Sequence, residues 1–364
     1  MKQDGAPRVV MFDAAYPPPI RGGKEKQAHL LSCALRDLGV SVRVLTLRFG
    51  ADQPRELDGI EVTRCPANTA RFAAIFTHLR RWRAASNVCH IHTPSWIGVY
   101  AGLVARSLGY KVIFKIPNEN LTTLFGSKRR LWTAALRSFN RLVVLDEKTR
   151  QEYEDAQIDP ERIALAANGV VVQGRHARRL ESGKDAELLF LGRFVEQKGC
   201  RELLAAVKLL KKRTDGWRLT MMGGGPLGAE LRETIDASGL ADRIILRPRQ
   251  DDVFEVLRKT DLLLVPSRRE GMPNVVLEAM SLGVPVIATD VGAVRRLIGD
   301  AGESFIVPPG DVDRFADATL KLMQDPVRHD QYGTALYARA KSVFNMPVIA
   351  QNYLALYRQV LDAG

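Results

Sequence analysis

The sequence predicts an α/β protein of two doubly wound domains in tandem. Short β-branched or aliphatic runs alternate with longer amphipathic ones, which is the pattern of parallel strands joined by crossover helices. This pattern stops near residue 166 and starts again near residue 188. The segment Gly174–Asp185 between them is rich in charge and poor in large apolar residues, and we interpret it as the interdomain linker. With 364 residues, 46% of them hydrophobic, the chain can form two domains with separate cores.

The first predicted domain covers residues 1–174. A helix is expected between its first two strands, because apolar residues recur on one helical face and Gly39 follows its end. The residues of that face are Ala28, Leu31, Leu35 and Leu38. The expected strands are Arg8–Phe12, Val42–Leu47, Ile60–Arg64, Val88–Ile91, Val112–Ile116, Leu142–Leu145 and Ile163–Ala166.

The second predicted domain covers residues 185–346. Its expected strands are Leu188–Leu191, Leu219–Met222, Ile244–Leu246, Leu262–Val265, Val284–Ala288 and Phe305–Val307. A last helix in residues 347–364, following Pro347, is expected to pack back on the first domain. Doubly wound sheets bind ligands outside the carboxyl ends of their strands, so we expect the site there, in a cleft where the domains face each other.

The positive charge of the chain is concentrated in its first half. The whole chain carries 53 Lys and Arg against 41 Asp and Glu, a net charge of +12. Residues 1–174 hold 25 of these basic residues against 16 acidic ones, whereas residues 175–364 hold 28 against 25. This asymmetry indicates that the first domain meets an anionic partner.

The cysteines and the apolar runs indicate a reducing compartment and no membrane span. We identify no C-x-x-C pair among Cys33, Cys65, Cys89 and Cys200 and no histidine at metal-ligand spacing, so we expect neither a disulfide framework nor a zinc site. The first residues lead directly into a strand, without the apolar region of a signal peptide. The longest apolar run ends at Arg106, well short of a membrane span. We expect a cytoplasmic protein that is not integral to the membrane.

The segment Pro266–Met280 contains the strongest indication of a ligand site. It follows a strand-like run and passes through a loop with Gly and Pro before a helical pattern begins near Val275, with Asn274 as the expected N-cap. Backbone N–H groups and the positive end of a helix dipole favour an anion at such a point. Glu278, eight positions after Glu270, can accept hydrogen bonds from neutral hydroxyls. A ligand with both phosphates and sugar hydroxyls would satisfy both features.

Two loops of the second domain are candidate phosphate contacts. Gly192–Gly199 follows the first strand and brings Arg193 and Lys198 to the strand end, where they could hold a pyrophosphate or be solvated surface cations. Gly223–Gly228 matches G-x-G-x-x-G, but it follows the second strand and lacks the acidic residue of a dinucleotide site. We interpret it as a loop, with Gly224 in it, that lets backbone approach a ligand or turns tightly.

The first domain offers candidates with ordinary alternatives. Gly22 and Gly23 precede its first helix and could bring backbone N–H groups to a phosphate or form a plain turn. His90 and His92 flank Ile91 at a strand end, and we expect them on opposite faces, unable to form a compact metal pair. One of them would face the ligand, and a buried histidine is the alternative for either.

Two further segments also have alternative explanations. Asp311-Val312-Asp313 resembles a metal-binding acidic pair, but it precedes a surface helix and helix capping is favoured. The basic segment 71–83 has one apolar helical face, which fits either an anionic bilayer surface or ordinary packing on the sheet. The residues of that face are Phe72, Ile75, Phe76 and Leu79.

Five motifs taken together resemble a known enzyme family. They are Gly22-Gly23, Asn168-Gly169-Val170, Gly192-Arg193 with Lys198-Gly199, Gly223–Pro226 and Glu270–Glu278. In this order and spacing they resemble the family 4 retaining glycosyltransferases of the GT-B fold, over almost the whole chain. The resemblance implies two Rossmann-like domains facing across a cleft, the first binding an acceptor and the second a nucleotide sugar.

The resemblance also implies roles for individual residues. Arg193 and Lys198 would hold the diphosphate of the nucleotide sugar, Glu278 would accept from the ribose, and Glu270 from the transferred sugar. Arg247, at the end of the third strand of the second domain, is a candidate neighbour of the base. Further donor contacts are expected from Gly22, Gly23, Gly224, Gly271, Met272, Pro273, Asn274 and Val275.

The first domain departs from the family pattern at one point. Where the family commonly has Thr-x-His after a strand, this chain reads Lys115-Ile116-Pro117, followed by Asn118. The histidine often placed beside the sugar is missing, and we expect His92, Lys115 or Asn118 to take over its contact. Together with Glu270, these residues form the candidate catalytic set.

The residues and the resemblance together predict a metal-independent glycosyltransferase without a cofactor, and retention is implied by the resemblance alone. The enzyme would move a hexose or related sugar from a UDP- or GDP-sugar to a glycan or lipid-linked glycan in cell-surface polysaccharide or glycoconjugate synthesis. Its basic first domain would contact the anionic inner face of the plasma membrane. A nucleotide-sugar epimerase is the alternative enzyme, and a noncatalytic sugar-nucleotide or nucleic-acid binding protein is the alternative from another class. No recognised nucleic-acid module appears, so no nucleic acid is expected as a partner.

Overall fold

The chain forms two α/β units, each with its own sheet. The computed structural model describes residues 6–18, 22–50, 53–117, 126, 129–176, 180, 184–250 and 252–363. Unit 1 contains Met1–Gly169 and Met346–Gly364, and unit 2 contains Val170–Asn345. Each unit is built on a sheet of mainly parallel strands with helices between them, so the predicted fold class is confirmed.

The strands and helices follow the hydrophobic pattern of the sequence. The strands are β1 (Arg8–Phe12), β2 (Ser41–Leu47), β3 (Glu56–Leu57), β4 (Ile60–Cys65), β5 (Val88–Ile91), β6 (Lys111–Ile116), β7 (Arg141–Val144), β8 (Ile163–Leu165), β9 (Ala186–Leu191), β10 (Trp217–Met222), β11 (Ile244–Arg247), β12 (Leu262–Val265), β13 (Val286–Thr289) and β14 (Ile306–Val307). The helices are α1 (Gly23–Asp37), α2 (Arg71–Trp82), α3 (Trp96–Ser107), α4 (Arg129–Arg137), α5 (Glu147–Asp155), α6 (Cys200–Lys211), α7 (Gly228–Ala237), α8 (Val253–Leu257), α9 (Asn274–Met280), α10 (Val294–Ile298), α11 (Val312–Gln324), α12 (Pro326–Arg339) and α13 (Met346–Asp362). Each expected strand is present, and among the strands of the described residues only the short β3 was not predicted.

The sheet of unit 1 has a switch point between β1 and β5. Its strand order is β3-β4-β2-β1-β5-β6-β7-β8, and all neighbours are parallel except β3 and β4. From β1 the chain adds β2 on one side and later β5 on the other. The loops after β1 and β5 therefore leave the same edge of the sheet and diverge, which opens space for a ligand there.

The sheet of unit 2 repeats this arrangement. Its strand order is β11-β10-β9-β12-β13-β14, with parallel neighbours throughout the described registers. Here the switch point lies between β9 and β12. The loop after β9 holds Gly192–Gly199, and the loop after β12 leads into Pro266–Met280. The topology thus places the two strongest sequence motifs side by side.

Part of the apolar face of α2 packs in the core of unit 1. Ile75 and Leu79 are fully buried, so packing on the sheet, one of the two uses considered for this face, is confirmed. Phe76 instead remains 40% exposed. On α1, Leu38 is exposed although it was expected on the buried face, because the helix ends at Asp37 and Leu38 is its C-cap.

The C-terminal helix and the first residues of the predicted linker have defined contacts. In unit 1, Tyr357 of α13 lies with its hydroxyl 2.7 Å from Nδ1 of His90. In unit 2, Arg175 pairs with Asp330 at 2.5 Å. Part of the predicted linker, residues 177–179 and 181–183, lies outside the described residues.

Two further sequence predictions concern helices. Asp311 is the N-cap of α11, and its side chain accepts from the backbone N–H of Arg314 at 3.0 Å, so the helix-capping interpretation is confirmed. Within the described part of the chain, no helix combines the length and the apolar character needed to cross a bilayer.

Candidate active site

The switch point of unit 2 brings Lys198 and Glu270 together. Lys198 ends the short helical turn Glu196–Lys198 after β9, and Glu270 lies in the loop after β12. Lys198 Nζ lies 2.5 Å from Glu270 Oε1. The Glu270 side chain is 6% exposed and the Lys198 side chain 22% exposed. The pair therefore lies at the protein surface, with the Glu270 carboxylate buried and the Lys198 side chain partly exposed.

The Glu270 carboxylate is fixed by further contacts. The buried hydroxyl of Ser267 donates to the same Oε1 at 2.7 Å. Gln197 ties the two loops together, since its carbonyl accepts from Arg268 N at 2.9 Å and its side-chain amide donates to Arg269 O at 3.0 Å. A carboxylate oriented through Oε1 can use Oε2 to accept from a ligand hydroxyl.

Two glycines allow these loops to approach one another. Gly199 has φ +67°, and a Cβ at this position would overlap the carbonyl oxygen of Pro266. Gly223 has φ +156°, and a Cβ there would overlap the carbonyl oxygen of Gly192. Both positions exclude a side chain for steric and conformational reasons. The Gly223–Gly228 loop is thus a tight turn against the loop after β9.

The other predicted donor residues lie around the same edge of the sheet. Arg193 and Arg247 are exposed just after β9 and at the end of β11. A Cβ on Gly224 would face open space, so this glycine could lie against a ligand. Glu278 is 8% exposed on α9. Of the remaining predicted residues, Gly271, Met272 and Pro273 connect Glu270 to α9, and Asn274 and Val275 are the first two residues of that helix.

The predicted N-cap of α9 is wrong by one residue. The helix begins at Asn274, and the N-cap is Pro273, whose backbone is extended at φ −71° and ψ 112°. Extended backbone is typical of an N-cap, and proline adopts it without strain. The sequence preference of Asn for N-caps therefore gave way to the fixed φ of the proline before it.

The corresponding edge of unit 1 places Asp13 beside Thr93. Asp13 follows β1, and Thr93 lies just beyond β5, across the switch point. The Thr93 hydroxyl donates to Asp13 Oδ1 at 2.8 Å and accepts from Ala14 N at 2.6 Å. Asp13 is buried, and its Oδ2 has no hydrogen-bond partner among the described residues. Burial raises the pKa of Asp13 to about 6.

A cavity of about 420 Å³ lies beside Asp13. It is lined by Asp13, Ala14, Ala15, Lys24, Glu25, His92, Thr93, Pro94, Ser95 and Trp96. Carboxylates, hydroxyls and an ammonium group around one space suit a ligand with several hydroxyls. Neither Asp13 nor Thr93 was predicted from the sequence. Asp13 could have been found as an acidic residue directly after the first strand, because ligands of doubly wound sheets bind at the carboxyl ends of the strands.

His90 and His92 lie on the same side of the sheet, so their predicted opposite orientation is wrong. Their ring centroids are 4.3 Å apart, and both side chains are buried. Residues two positions apart in a strand share a face, which the prediction overlooked. Burial lowers the pKa of both imidazoles well below 6.5, and the Lys115 charge adds to the effect. His92 lines the cavity as a neutral side chain, whereas His90 is bonded to Tyr357.

Lys115 is buried beside this histidine pair. Its Nζ donates to Asn168 Oδ1 at 3.0 Å and lies 5.5 Å from the ring centroid of Tyr353. Burial lowers the pKa of Lys115 to about 7, against the opposing charge of Asp13. It is not among the residues that line the cavity. Asn118, the third predicted candidate, lies outside the described residues.

Gly22 and Gly23 occupy the start of α1, as predicted. Gly22 is the N-cap, with extended backbone, and Gly23 is the first residue of the 15-residue helix. Gln27 of the same helix exchanges two hydrogen bonds with Gly169, at 2.8 and 3.0 Å. This links the Gly22-Gly23 motif to the Asn168-Gly169 motif within unit 1.

Two family models match the chain, one in each unit. Residues 185–325 match the model described as glycosyl transferases group 1. Residues 22–169 match the model described as a glycosyl transferase 4-like domain. The two matches include the loops after β5, β9 and β12.

Known relatives and a solved structure agree with these matches. The alpha-D-kanosaminyltransferase of Streptomyces kanamyceticus is 26% identical over 305 residues, which cover 78% of this chain and 79% of the relative. The phosphatidyl-myo-inositol mannosyltransferase of Mycobacterium leprae is 28% identical over 303 residues, covering 80% and 79%. The structure of Anabaena HepE in complex with UDP-glucose has a TM-score of 0.80 at 17% identity, over 98% of this chain and 100% of that chain. At this identity the structural likeness shows the fold alone.

Proposed function

This chain belongs to the group 1 glycosyl transferases and has the GT-B fold, and we therefore propose that it transfers a hexose or related sugar from a UDP- or GDP-sugar to a glycan or lipid-linked glycan. HepE was solved in complex with UDP-glucose, and the Mycobacterium leprae relative is named for a lipid acceptor and for mannosyl transfer. These relatives support a nucleotide-sugar donor and an acceptor of this kind. The proposed process is the synthesis of cell-surface polysaccharide or glycoconjugate.

The contact between Lys198 and Glu270 is the observation on which the proposal depends most. An ammonium group has three N–H donors, and Lys198 directs one of them to Glu270. The others can hold a diphosphate while this contact persists. Glu270 would then lie directly beside the phosphate, where it could accept from hydroxyls of the attached sugar. Arg193 would add paired hydrogen bonds to the phosphate oxygens, and Glu278 would accept from the ribose.

The proposed reaction needs stabilisation of a leaving group. The bond between the anomeric carbon and the phosphate oxygen breaks, and the sugar ring gains positive charge while the diphosphate gains negative charge. Arg193 and Lys198 would stabilise the diphosphate as this charge grows, in place of a metal ion. We further propose retention, in which the acceptor oxygen bonds to the anomeric carbon on the face that the phosphate leaves. The departing phosphate oxygen takes the proton of the acceptor hydroxyl.

The cavity of unit 1 is the proposed acceptor site. Asp13 Oδ2 is buried and has no partner within the described ranges, so a hydroxyl of the acceptor could satisfy it. Thr93 fixes the other oxygen of this carboxylate. His92, neutral because burial lowers its pKa, could donate or accept at the same cavity. We propose that these three side chains orient the acceptor.

We propose a cytoplasmic location with contact to the anionic inner face of the plasma membrane. The excess of basic residues in the first 174 residues supports this. On α2, Phe76 is exposed one turn before the exposed Arg80, although the main apolar face of the helix is buried. Co-sedimentation with vesicles measures the contact. Binding to phosphatidylglycerol vesicles that is lost at high salt is expected, and equal binding to neutral phosphatidylcholine vesicles would contradict it.

The transfer reaction is tested with a panel of UDP- and GDP-sugars and of lipid-linked and free glycan acceptors. We expect one donor to be consumed only when an acceptor is present, with a glycosylated product detected by mass spectrometry. Unchanged turnover with a chelator would support the metal-independent reaction, and the anomeric coupling constant of the product measures retention. If no donor is consumed with any acceptor, the proposed donor and acceptor classes are wrong.

The same assay distinguishes the epimerase alternative. That reaction requires carboxylates and histidines around the sugar, which the sequence of the first domain indicates only sparsely. The cavity of unit 1 contains Asp13, Glu25 and His92, so the required residue types are present there. An epimerised nucleotide sugar formed without an acceptor would favour this alternative over transfer.

A further inference from the structure

A cluster of metal-ligating residue types lies in unit 1 between α1 and the turn that joins β3 to β4. His29 and Cys33 belong to α1, and Asp58 belongs to the turn, with φ +47°. One ligand atom from each of the three residues lies within 4.8 Å of the others. Cys33 follows His29 by four positions, a spacing that the sequence-based expectation of no metal site overlooked. On a helix this spacing places both side chains on one face.

The distances within the cluster are close to those around a metal ion. His29 Nε2 lies 3.7 Å from Cys33 Sγ and 2.8 Å from Asp58 Oδ2. In a tetrahedral zinc site with bonds of about 2.0 Å to nitrogen and about 2.3 Å to sulfur, the nitrogen and the sulfur lie about 3.6 Å apart. The Nε2–Sγ separation is close to this value, but Sγ also lies 3.9 Å from His29 Nδ1, so the sulfur is beside the ring. The Cys33 side chain would have to rotate to meet a metal on the Nε2 lone pair. The Asp58 carboxylate would have to move away by about 0.5 Å, which its 67% exposed side chain permits.

A neighbouring tyrosine orients the histidine. Tyr16 Oη lies 2.9 Å from His29 Nδ1, and Tyr16 is 2% exposed. When Nδ1 carries the proton and donates to this oxygen, Nε2 presents its lone pair on the side of the Asp58 carboxylate. Metal-ligating histidines almost always use their second ring nitrogen in this way. The site thus has an outer contact that sets the tautomer as well as three inner ligands.

The ligand types select a class of metal. A thiolate and an imidazole favour zinc and similar transition metals over magnesium or calcium, which prefer oxygen ligands. Three protein ligands leave the fourth tetrahedral position to water. The guanidinium of Arg36 donates to the backbone carbonyl of Asp58, so the turn is held against α1 independently of the side-chain cluster.

We propose that His29, Cys33 and Asp58 bind one zinc ion, which clips the β3–β4 turn to α1. This site is separate from the proposed donor and acceptor sites and does not depend on the proposed transfer reaction. Because only the folded unit brings the three ligands together, zinc stabilises the folded state. We expect the thermal unfolding midpoint to rise when zinc is added to chelator-treated protein.

Cobalt(II) titration of the tag-free, chelator-treated full chain tests this proposal. A thiolate ligand gives cobalt a charge-transfer absorption band in the near ultraviolet, and we expect this band to saturate at one equivalent of cobalt. Adding zinc should abolish it. The variant Cys33→Ser should show no band, because it removes the sulfur ligand. Asp58→Asn and Tyr16→Phe should weaken metal binding by about tenfold or more.

A matched control is available on the same helix. Asp37 is an exposed carboxylate that pairs with Arg36, and it is not part of the cluster. Asp37→Asn should therefore bind cobalt as the unaltered chain does. Circular dichroism shows whether each variant is folded. The proposal is overturned if the unaltered chain gives no band, or if folded Cys33→Ser binds zinc with unchanged affinity in calorimetry.

Discussion

Lys198 and Glu270 are in contact at 2.5 Å, Nζ to Oε1, at the place where the strand order of unit 2 reverses. They belong to loops that follow adjacent parallel strands, and 72 positions of sequence separate them. A cation next to an oriented carboxylate offers one group for a phosphate and another for a sugar hydroxyl. This pairing connects the fold of unit 2 to the proposed binding of a nucleotide sugar.

Removing the ammonium group should impair the transfer reaction. Lys198→Ala removes one positive charge beside the proposed diphosphate, so kcat should fall about 100-fold, the usual cost of losing one stabilising donor. Steady-state kinetics with the accepted donor measures this. Lys211→Ala is the control, because Lys211, the last residue of α6, forms an exposed pair with Asp215. This variant should alter kcat by less than about twofold. Equal activity of the two variants would contradict the role of Lys198.

The activity of the enzyme should depend on the ionisation of Asp13. Its pKa of about 6 means that the carboxylate becomes protonated as the pH falls through 6. Protonation removes the charge that accepts from the acceptor hydroxyl, so kcat/KM for the acceptor should fall below this pH. In Asp13→Asn, kcat/KM for the acceptor should be low at pH 7 and should no longer change as the pH falls through 6. A full acidic transition in the variant would show that another group is responsible.

The buried histidines should make the fold sensitive to acid. The pKa of His92 in the folded chain lies well below 6.5, whereas in the unfolded chain it takes its ordinary value of 6.5. Below that pH the unfolded chain binds a proton that the folded chain does not, so the free energy of unfolding falls. We expect a loss of about 1 to 2 kcal/mol between pH 7 and pH 5 for this group.

The variant His92→Gln isolates this contribution. Asp13 and Lys115 also titrate near neutral pH and face the same region, so the comparison is made between the unaltered chain and this single variant. Denaturant unfolding at several pH values gives the two curves. The unfolding free energy of the unaltered chain minus that of the variant should decrease as the pH decreases. Parallel curves would mean that folding does not change the pKa of His92.

Gly223 should tolerate no side chain. Gly223→Ala places a Cβ against the carbonyl oxygen of Gly192 at φ +156°, so we expect a loss of stability of about 3 kcal/mol or more. Gly216→Ala is the control, because the nearest atom to its Cβ is a threonine hydroxyl at 3.7 Å. Thermal or denaturant unfolding measures both. Similar stabilities for the two variants would contradict the close approach of the loops.

The hydroxyl of Tyr357 should anchor the C-terminal helix to unit 1. Tyr357→Phe removes the partner of His90 Nδ1 and leaves a buried polar atom unsatisfied, at a cost of about 1 to 3 kcal/mol. Tyr337 on α12 is partly exposed, and Tyr337→Phe should change stability by less than about 0.5 kcal/mol. Denaturant unfolding measures both changes. A negligible effect of Tyr357→Phe would show that the contact does not stabilise the helix.

Much of the fold could be predicted because its signals are local. Alternation of apolar runs located each expected strand, and glycine marked the end of α1 near Gly39. The two-residue strand β3 was missed because Glu56 and Leu57 are too short a run to show a period. Leu38 was misplaced because an apolar residue at the right spacing can still fall beyond the end of its helix.

The sites could be predicted only in part because their contacts are not local. Lys198 and Glu270 were both selected from the sequence, but their contact depends on β9 and β12 being neighbours. Asp13 and Thr93 meet for the same reason across β1 and β5. The partner of an isolated acidic residue cannot be predicted from the sequence until the order of the strands in the sheet is known.

The claim that the Lys198–Glu270 pair holds the donor is tested most directly by calorimetric titration. The accepted UDP- or GDP-sugar, or its nucleoside diphosphate, is titrated into the unaltered chain, Lys198→Ala and Lys211→Ala. We predict one binding site in the unaltered chain and in Lys211→Ala. In Lys198→Ala the affinity should fall about tenfold or more, because a charge-assisted hydrogen bond to phosphate is lost. Unchanged donor affinity in folded Lys198→Ala, or no binding of any donor to the unaltered chain, would contradict the claim.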